Sequence, residues 1–600
     1  TYPDKTVYPA ASTVKRDYFN LMAVYGDAVF FPLLKRELFL QEGRRFVPGE
    51  GGALSVDGIV FNEMKGNYSS FESVAGDWSI RSLFDHSPYK YDSGGDPAHI
   101  PELSYEDFLR FHQKYYHPSN CRIFLYGDIS SEEQLSFLQR EFLHGFGPGE
   151  GAEEILSEPR FSKPRSITVK GPGADAEEGT AKPTVLLNWL TGKSTEPLEM
   201  LSLQVLSAIL LGHPGAPLQK LIDDTELGED MAPASGLESD LLELGFTVGI
   251  RGITPDRSGE FEALILDELR RLVDQGLPED LVEGTLRRVE FRNREIKGGV
   301  PFGLRLMGKA YKAWLHGAEP KTSLEFSPYM EELKQRRAAD PRYFEKLIQK
   351  YLLDNQHRST VTVVPDAGYL NDLETSIAGR VEGMKESLGE SDWEKLRADV
   401  AAFEEFQRVP DPPDAVAKIP VLSREDLPEE ISRIETEEGE VAGVKVFSHE
   451  LFSNGVDYID LVFNLNGLKR RERQLLSLLS RLITAPGLPG IGYDEVARQL
   501  NLKTGGFNSH VEVSPVVGRP HECKGFLMFR VKVLPDFLDE ALDLILRILF
   551  EAELEDEKRL YDVLTELRND LRSAIIPGGH SFAVQRAGAH LNPAIRMEEE

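Results

Sequence analysis

The sequence predicts an α+β protein assembled from repeated units. Two observations point there. Strand-like and helix-like runs alternate in separate blocks. The apolar run Val185 to Leu190 leads into a helical pattern around Leu198 to Leu211, and Val456 to Leu465 leads into one around Arg473 to Ile483. A longer pattern also recurs. YEDFLRFHQKYYHPSNCRIFLYGD from Tyr105 and PRYFEKLIQKYLLDNQHRSTVTVVPD from Pro341 each read as an amphipathic helix, a polar turn and a strand. Phe108 matches Phe344, Phe111 matches Leu347, and Gln113-Lys114-Tyr115 matches Gln349-Lys350-Tyr351.

The elements then fall in order. Residues 1–150 read as the later part of a first unit. From His144 to Pro183, Gly, Pro and Glu interrupt every period except a short strand at Ile167 to Val169. A second unit covers 165–366. Residues 367–408 read as a helical hairpin joining two larger bodies. Leu370, Leu373, Ile377, Val381, Met384 and Leu388 recur at spacings of three and four. Gly389 is placed to end that helix, and Ser391 to Glu394 reads as the capping box of the next. Trp393, Leu396, Val400 and Phe403 repeat the stripe. Residues 409–600 hold a second linker, Val409 to Glu430, and an incomplete third unit. The linker's prolines are expected to hold it extended and outside any helix.

The 600 residues amount to about four domains or large pieces of domains. Apolar residues make up 41% and charged residues 28%, a globular composition that excludes wholesale disorder or a fibre. Lys plus Arg is 68 and Asp plus Glu is 99, a formal charge of 68 − 99 = −31. Such a chain is a poor general binder of nucleic acid or anionic membrane, and no partner of either kind is expected. No apolar stretch is long enough to span a bilayer. The two cysteines, Cys121 and Cys523, exclude a disulfide framework and a four-cysteine zinc site. They fit a soluble protein of a reducing compartment, cytoplasm or organelle matrix. The first residue is Thr and no signal peptide is visible, so the chain is expected to be an internal piece of a longer protein.

The usual catalytic signatures are missing. There is no Walker A sequence, no G-x-G-x-x-G after a strand and no G-x-S-x-G elbow. Neither H-E-x-x-H nor H-x-x-E-H occurs among the 13 histidines. His112 and His117 lie five apart on a predicted helix and point in different directions, so joint ligation is not expected. His510 and Glu512 would share one face of a strand, with His521 and Glu522 beyond, which imitates a metal site. Exposed imidazole–carboxylate pairs of this kind are common, and surface residues are the plainer reading. More distinctive is DGIVFNEMKGNYSSFES, Asp57 to Ser73. There Ile59-Val60 precedes Glu63, a hard carboxylate ligand in type, and Phe71, Val74 and Trp78 form a helical stripe. Glu72 is expected on the same helix, as a surface residue.

FNEMKG (Phe61 to Gly66), DSGGDP (Asp92 to Pro97), IPELSYEDFLRFHQKYYHPSN (Ile100 to Asn120), YGD (Tyr126 to Asp128) and LKTGG (Leu502 to Gly506) resemble the presequence protease branch of the pitrilysin–insulysin zinc metallopeptidases. So do the opening TYPDKTVYP and VYGDAVFFP (Val24 to Pro32). The resemblance implies related pitrilysin-like α+β domains in two halves, joined by the hairpin and closing like a clamshell on short unstructured peptides. It implies a hydrolase, a zinc-dependent metalloendopeptidase active in peptide degradation and protein processing, acting as a monomer. One Zn2+ would be held by two His from an inverted H-x-x-E-H motif and by a Glu from a later helix, with a fourth position open. Glu63 matches that later ligand. The inverted motif, with its general-base Glu, is expected upstream of Thr1, so no catalytic residue is expected within this chain. The substrate-binding residues are not assigned. A competing reading is a non-catalytic relative that keeps the fold as a structural or substrate-holding subunit.

Overall fold

The computed structural model describes residues 2–149, 151, 153–173, 182–296, 300–430, 433–484 and 486–599. Parts of the expected first linker, residues 150, 152 and 174–181, lie outside them. The chain is α+β, as its alternating runs predict.

The strand Thr184–Lys193 is the core of the second unit. It lies in a six-stranded mixed sheet, antiparallel to Glu243–Arg251 on one side and to Arg358–Asp366 on the other. Arg165–Pro172 closes one edge, parallel to Arg358–Asp366. The expected three-residue strand in the first linker is thus an eight-residue edge strand of this sheet. Thr184 to Gly192 are all buried because both faces of the sheet are covered. Val185, Leu187 and Trp189 face the helices Pro197–Leu211, Ser258–Gln275 and Tyr343–Ile348 in the largest apolar cluster. Leu186, Val361 and Val363 face the other way, against Phe71, Val74 and Ala75. Those three belong to helix Phe71–Arg81, so a first-unit helix roofs the second unit's sheet.

A second tie between these units is His357. Its ring stacks on Phe161 with 3.7 Å between centroids. Nδ1 accepts from the Phe161 N–H at 3.2 Å, which leaves Nε2–H to donate to the Leu83 carbonyl at 2.7 Å. The bond that Nδ1 accepts requires the neutral ring, and burial pulls its pKa down to about 4 from the ordinary 6.5 although the Leu83 bond works the other way. The unfolded chain takes up the proton first as pH falls, so this contribution is full above about 6.5 and is lost towards pH 4. The melting temperature should fall across that window. A His357→Phe protein, melted in the same buffers, should show a shallower fall.

In the third unit the strands run Asp457–Asn464, Arg519–Val533, Gly506–Val516 across an antiparallel sheet. Only one face is covered, and Leu527, Phe529, Val531 and Val533 alternate with less buried neighbours accordingly. Helices Tyr493–Lys503 and Leu538–Glu551 cover that face. The helix expected around Arg473 to Ile483 is two short pieces, Arg470–Arg473 and Leu476–Leu482.

Two helices, Tyr369–Glu386 and Glu390–Arg408, occupy the region of the two apolar stripes. The second starts earlier than its sequence cap suggests. The Asp392 carboxylate accepts from the Gly389 N–H at 2.9 Å, so Gly389, and not Ser391, is the cap. Both helices pack on the first unit: Ile377 and Val381 against Phe61 and Met64, and Phe403 against Phe39 and Leu40. The linker beyond is not wholly extended. Pro413–Val416 makes one helical turn, with Pro413 at a first-turn position that needs no N–H donor.

The repeated motif diverges at its strand. In the second copy Arg358–Asp366 is central in its sheet. In the first, Cys121 to Tyr126 joins no ladder among the described residues, because no strand lies beside it to exchange hydrogen bonds. Among the described residues no helix is long and apolar enough to cross a membrane.

Candidate functional site

Glu63 lies at the centre of helix Ile59–Asn67. The Ile59-Val60 run is its first turn. Asp57 anchors that turn, accepting from the Gly58 N–H at 2.9 Å and from Asn62 Nδ2 at 2.8 Å, with Arg45 also on the carboxylate. The bond from Asn62, with Arg45 and Gly58 beside it, holds the Asp57 carboxyl below the usual range. The inner face carries Phe61 and Met64 into the cluster with Ile377 and Val381. The DSGGDP loop closes over Met64. A Cβ on Gly94 would overlap the Met64 sulfur, so two of the quoted motifs meet at one close contact.

The outer face is open. Glu63 is exposed and makes no hydrogen bond or ion pair among the described residues. Ile59 and Val60, one turn before it, are 52% and 37% exposed. A free carboxylate on a helix anchored at its start and packed along its back suits a metal ligand, since the backbone that carries it is held while its lone pairs are unclaimed. It fits zinc as one ligand of a larger set, and it belongs to no group of three candidate ligands among the described residues.

The other candidates do not form a centre. His510 sits opposite Met528 and Glu512 opposite Phe526, while His521 and Glu522 lie at the far end of the partner strand. His112 is within 3.3 Å of the Val29 carbonyl and stacks on Tyr116, whereas His117 Nδ1 meets the Ser119 hydroxyl at 2.8 Å. Asp85, His86 and Glu158 do converge. However, Glu158 accepts from the N–H groups of Asp85, His86 and Ser87, and Asp85 holds Arg165 through both oxygens. Those lone pairs are spent on the fold.

Glu72 departs from expectation. Ser70 caps a new helix, Phe71–Arg81, accepting from the Ser73 N–H at 3.3 Å, so Glu72 is on a different helix from Glu63. It points to the buried Arg251 at 3.6 Å, and burial pushes its carboxyl above the usual range. Sequence reading missed Arg251 because its partners lie far away in the chain. A cavity of about 2210 Å3 lies elsewhere, between helix Lys15–Phe30 and Cys121 to Ile129 of the first unit and helix Phe302–Trp314 of the second, and Glu63 is not on its wall.

Comparison with known proteins agrees with the motifs. Residues 102–289 match the Peptidase M16 inactive domain family, and residues 363–600 match the associated family of peptidase M16, subfamily C. "Presequence protease 1, chloroplastic/mitochondrial" of Arabidopsis thaliana is 33% identical over 100% of this chain and 56% of its own length. "Protein HypA" of Clostridium perfringens is 32% identical over 98% of this chain and 60% of its own. Pitrilysin aligns over 93% of this chain and 54% of that one at 13% identity and a TM-score of 0.46. The chain spans less than two thirds of the curated relatives it matches. An α+β chain of repeated units with these motifs is of the M16 peptidase class. It belongs to the pitrilysin family, in the presequence protease branch.

Proposed function

We propose that, in a chain of the relatives' full length, this sequence forms most of a zinc-dependent endopeptidase that cuts short unstructured peptides within a closed chamber. The observation that carries the reading is Glu63, in FNEMKG, standing free on a helix anchored at its start. Residues 1–150, 165–366 and 409–600 are peptidase-like units in this reading, with 367–408 as the hinge between the halves. Glu63 contributes one negative charge and one ligand to a single zinc, and two His and a general-base Glu come from upstream. Bound zinc would supply the Lewis acidity for peptide hydrolysis. Cys121 and Cys523 are both free, which supports a reducing compartment such as an organelle matrix or cytoplasm.

The deciding experiment is zinc content and peptide cleavage of the full-length gene product, with one zinc per chain expected. Residues 1–600 alone should bind zinc weakly and cleave no peptide, because Glu63 belongs to no group of three candidate ligands among the described residues. Tight stoichiometric zinc in that chain would defeat the assignment. The competing reading is a substrate-holding relative. An intact fold with neither zinc nor cleavage at full length selects it.

A further inference from the structure

Arg251 ends the strand Glu243–Arg251 with its side chain only 5% exposed. Carboxylates from three parts of the chain converge on it. Asp230 of the second unit takes both Nε, at 2.8 Å, and Nη2. Glu72, in the first turn of helix Phe71–Arg81, lies 3.6 Å from Nη1. Asp570, on the third unit's helix Glu557–Ile575, lies 3.4 Å from Nη2. Arg481 brings a second cation, 2.9 Å from Asp570 and 2.8 Å from Glu566. With Arg559 also near Glu566, three cations face four carboxylates, so the acids repel one another and still outnumber the positive charge.

The same helix meets the second unit through further ion pairs. Lys558 is 2.6 Å from Asp224, and Arg568 is 3.2 Å from Glu229, which Asn569 and Lys182 also hold. Contacts of this kind are weakened by salt and can be separated without exposing a core. On the other side, Glu72 is nine residues from Glu63, and only Tyr68 to Ser70 separate the two helices. Whatever holds Glu72 therefore holds the turn behind Glu63.

We infer that Arg251 is a positioning residue shared by the helix pair that carries Glu63 and by the third unit, so that docking the third unit loosens the anchor at Glu72. The inference rests on the reading of Glu63 for its functional meaning. Its physical basis is competition: Asp570 draws on the same guanidinium and repels Glu72. Burial and the neighbouring carboxylates push both Glu72 and Glu566 above the usual range, as a crowded acidic node requires. Linkage makes the effect reciprocal, so anchoring Glu72 weakens the docking of Asp570.

Amide hydrogen exchange on the 600-residue chain tests this without metal. Asp570→Asn, at a side chain 38% exposed, keeps the shape and removes the charge. Exchange should then slow about 3-fold over residues 68–75 and quicken over Glu557–Ile575, two changes of opposite sign from one substitution. Glu72→Gln should slow exchange over Glu557–Ile575. A purely structural Arg251 gives faster exchange in both places with Asp570→Asn, and that result, or no change at 68–75, overturns the inference. If the opposite signs appear while Glu63→Gln leaves zinc intact at full length, the coupling stands and only the metal reading falls.

Discussion

Glu63→Gln at full length should abolish both bound zinc and peptide cleavage. The substitution keeps the side chain's size and removes the charge that balances the ion. Loss of a residue that merely orients a metal ligand lowers metal affinity or activity about 10–100-fold, so loss of a ligand should cost at least about 100-fold in each. Folding should survive. Glu63 is exposed and unpaired among the described residues, and the helix is held by Phe61, Met64 and Asp57 instead. Glu72 is unsuitable as the matched control, because its carboxylate belongs to the Arg251 node and its loss would disturb three units. Glu132, exposed on helix Ser131–Glu141, serves better, and Glu132→Gln should leave zinc and cleavage unchanged. Full zinc and near-normal cleavage in Glu63→Gln would remove the ligand assignment.

What is legible in the sequence follows the range of the interactions involved. The α+β class rests on periodicities of a few residues, so the strand at Val185 to Leu190 and its following helix can be read directly. The two stripes around Gly389 can be read for the same reason. The helix cap reads late because Ser391 and Gly389 both precede acids at capping distance. Glu63 is visible only through FNEMKG, since an exposed glutamate on a short helix carries no signal of its own. The break between Glu63 and Glu72 is written locally, in Ser69-Ser70. The role of Glu72 is not, because Arg251 and Asp570 are brought to it by the sheet and by the third unit. Cys121 to Tyr126 shows the opposite error. Its β-rich pattern is a strand pattern, but a strand needs a neighbour, and pattern alone does not provide one.

Gly505→Val should force the second and third units apart. Helix Glu279–Arg294 of the second unit lies against helix Tyr493–Lys503 of the third, with Thr285 and Arg288 both meeting Asn501. At the end of that contact Phe291, 3% exposed, is seated on Gly505 within LKTGG. A Cβ on Gly505 would overlap the outer edge of the Phe291 ring. The ring is enclosed, so it cannot swing aside cheaply, and overpacking of this kind costs about 1–3 kcal/mol. The core of neither unit depends on the contact, so the strain should be relieved by separation rather than unfolding. Exchange should quicken along Tyr493–Lys503 while the strands Thr184–Lys193 and Arg519–Val533 stay protected, and small-angle scattering should report a larger particle. At full length, cleavage should fall with zinc retained, because a chamber that does not close loses catalysis without losing its metal. Phe291→Ala provides the decisive pairing. Alone it leaves a gap and weakens the contact; combined with Gly505→Val it removes the clash. The double variant should therefore be more closed than Gly505→Val alone, a non-additivity expected only of residues that touch. Additive opening in the double variant would mean that Gly505 acts through its own backbone and not through Phe291.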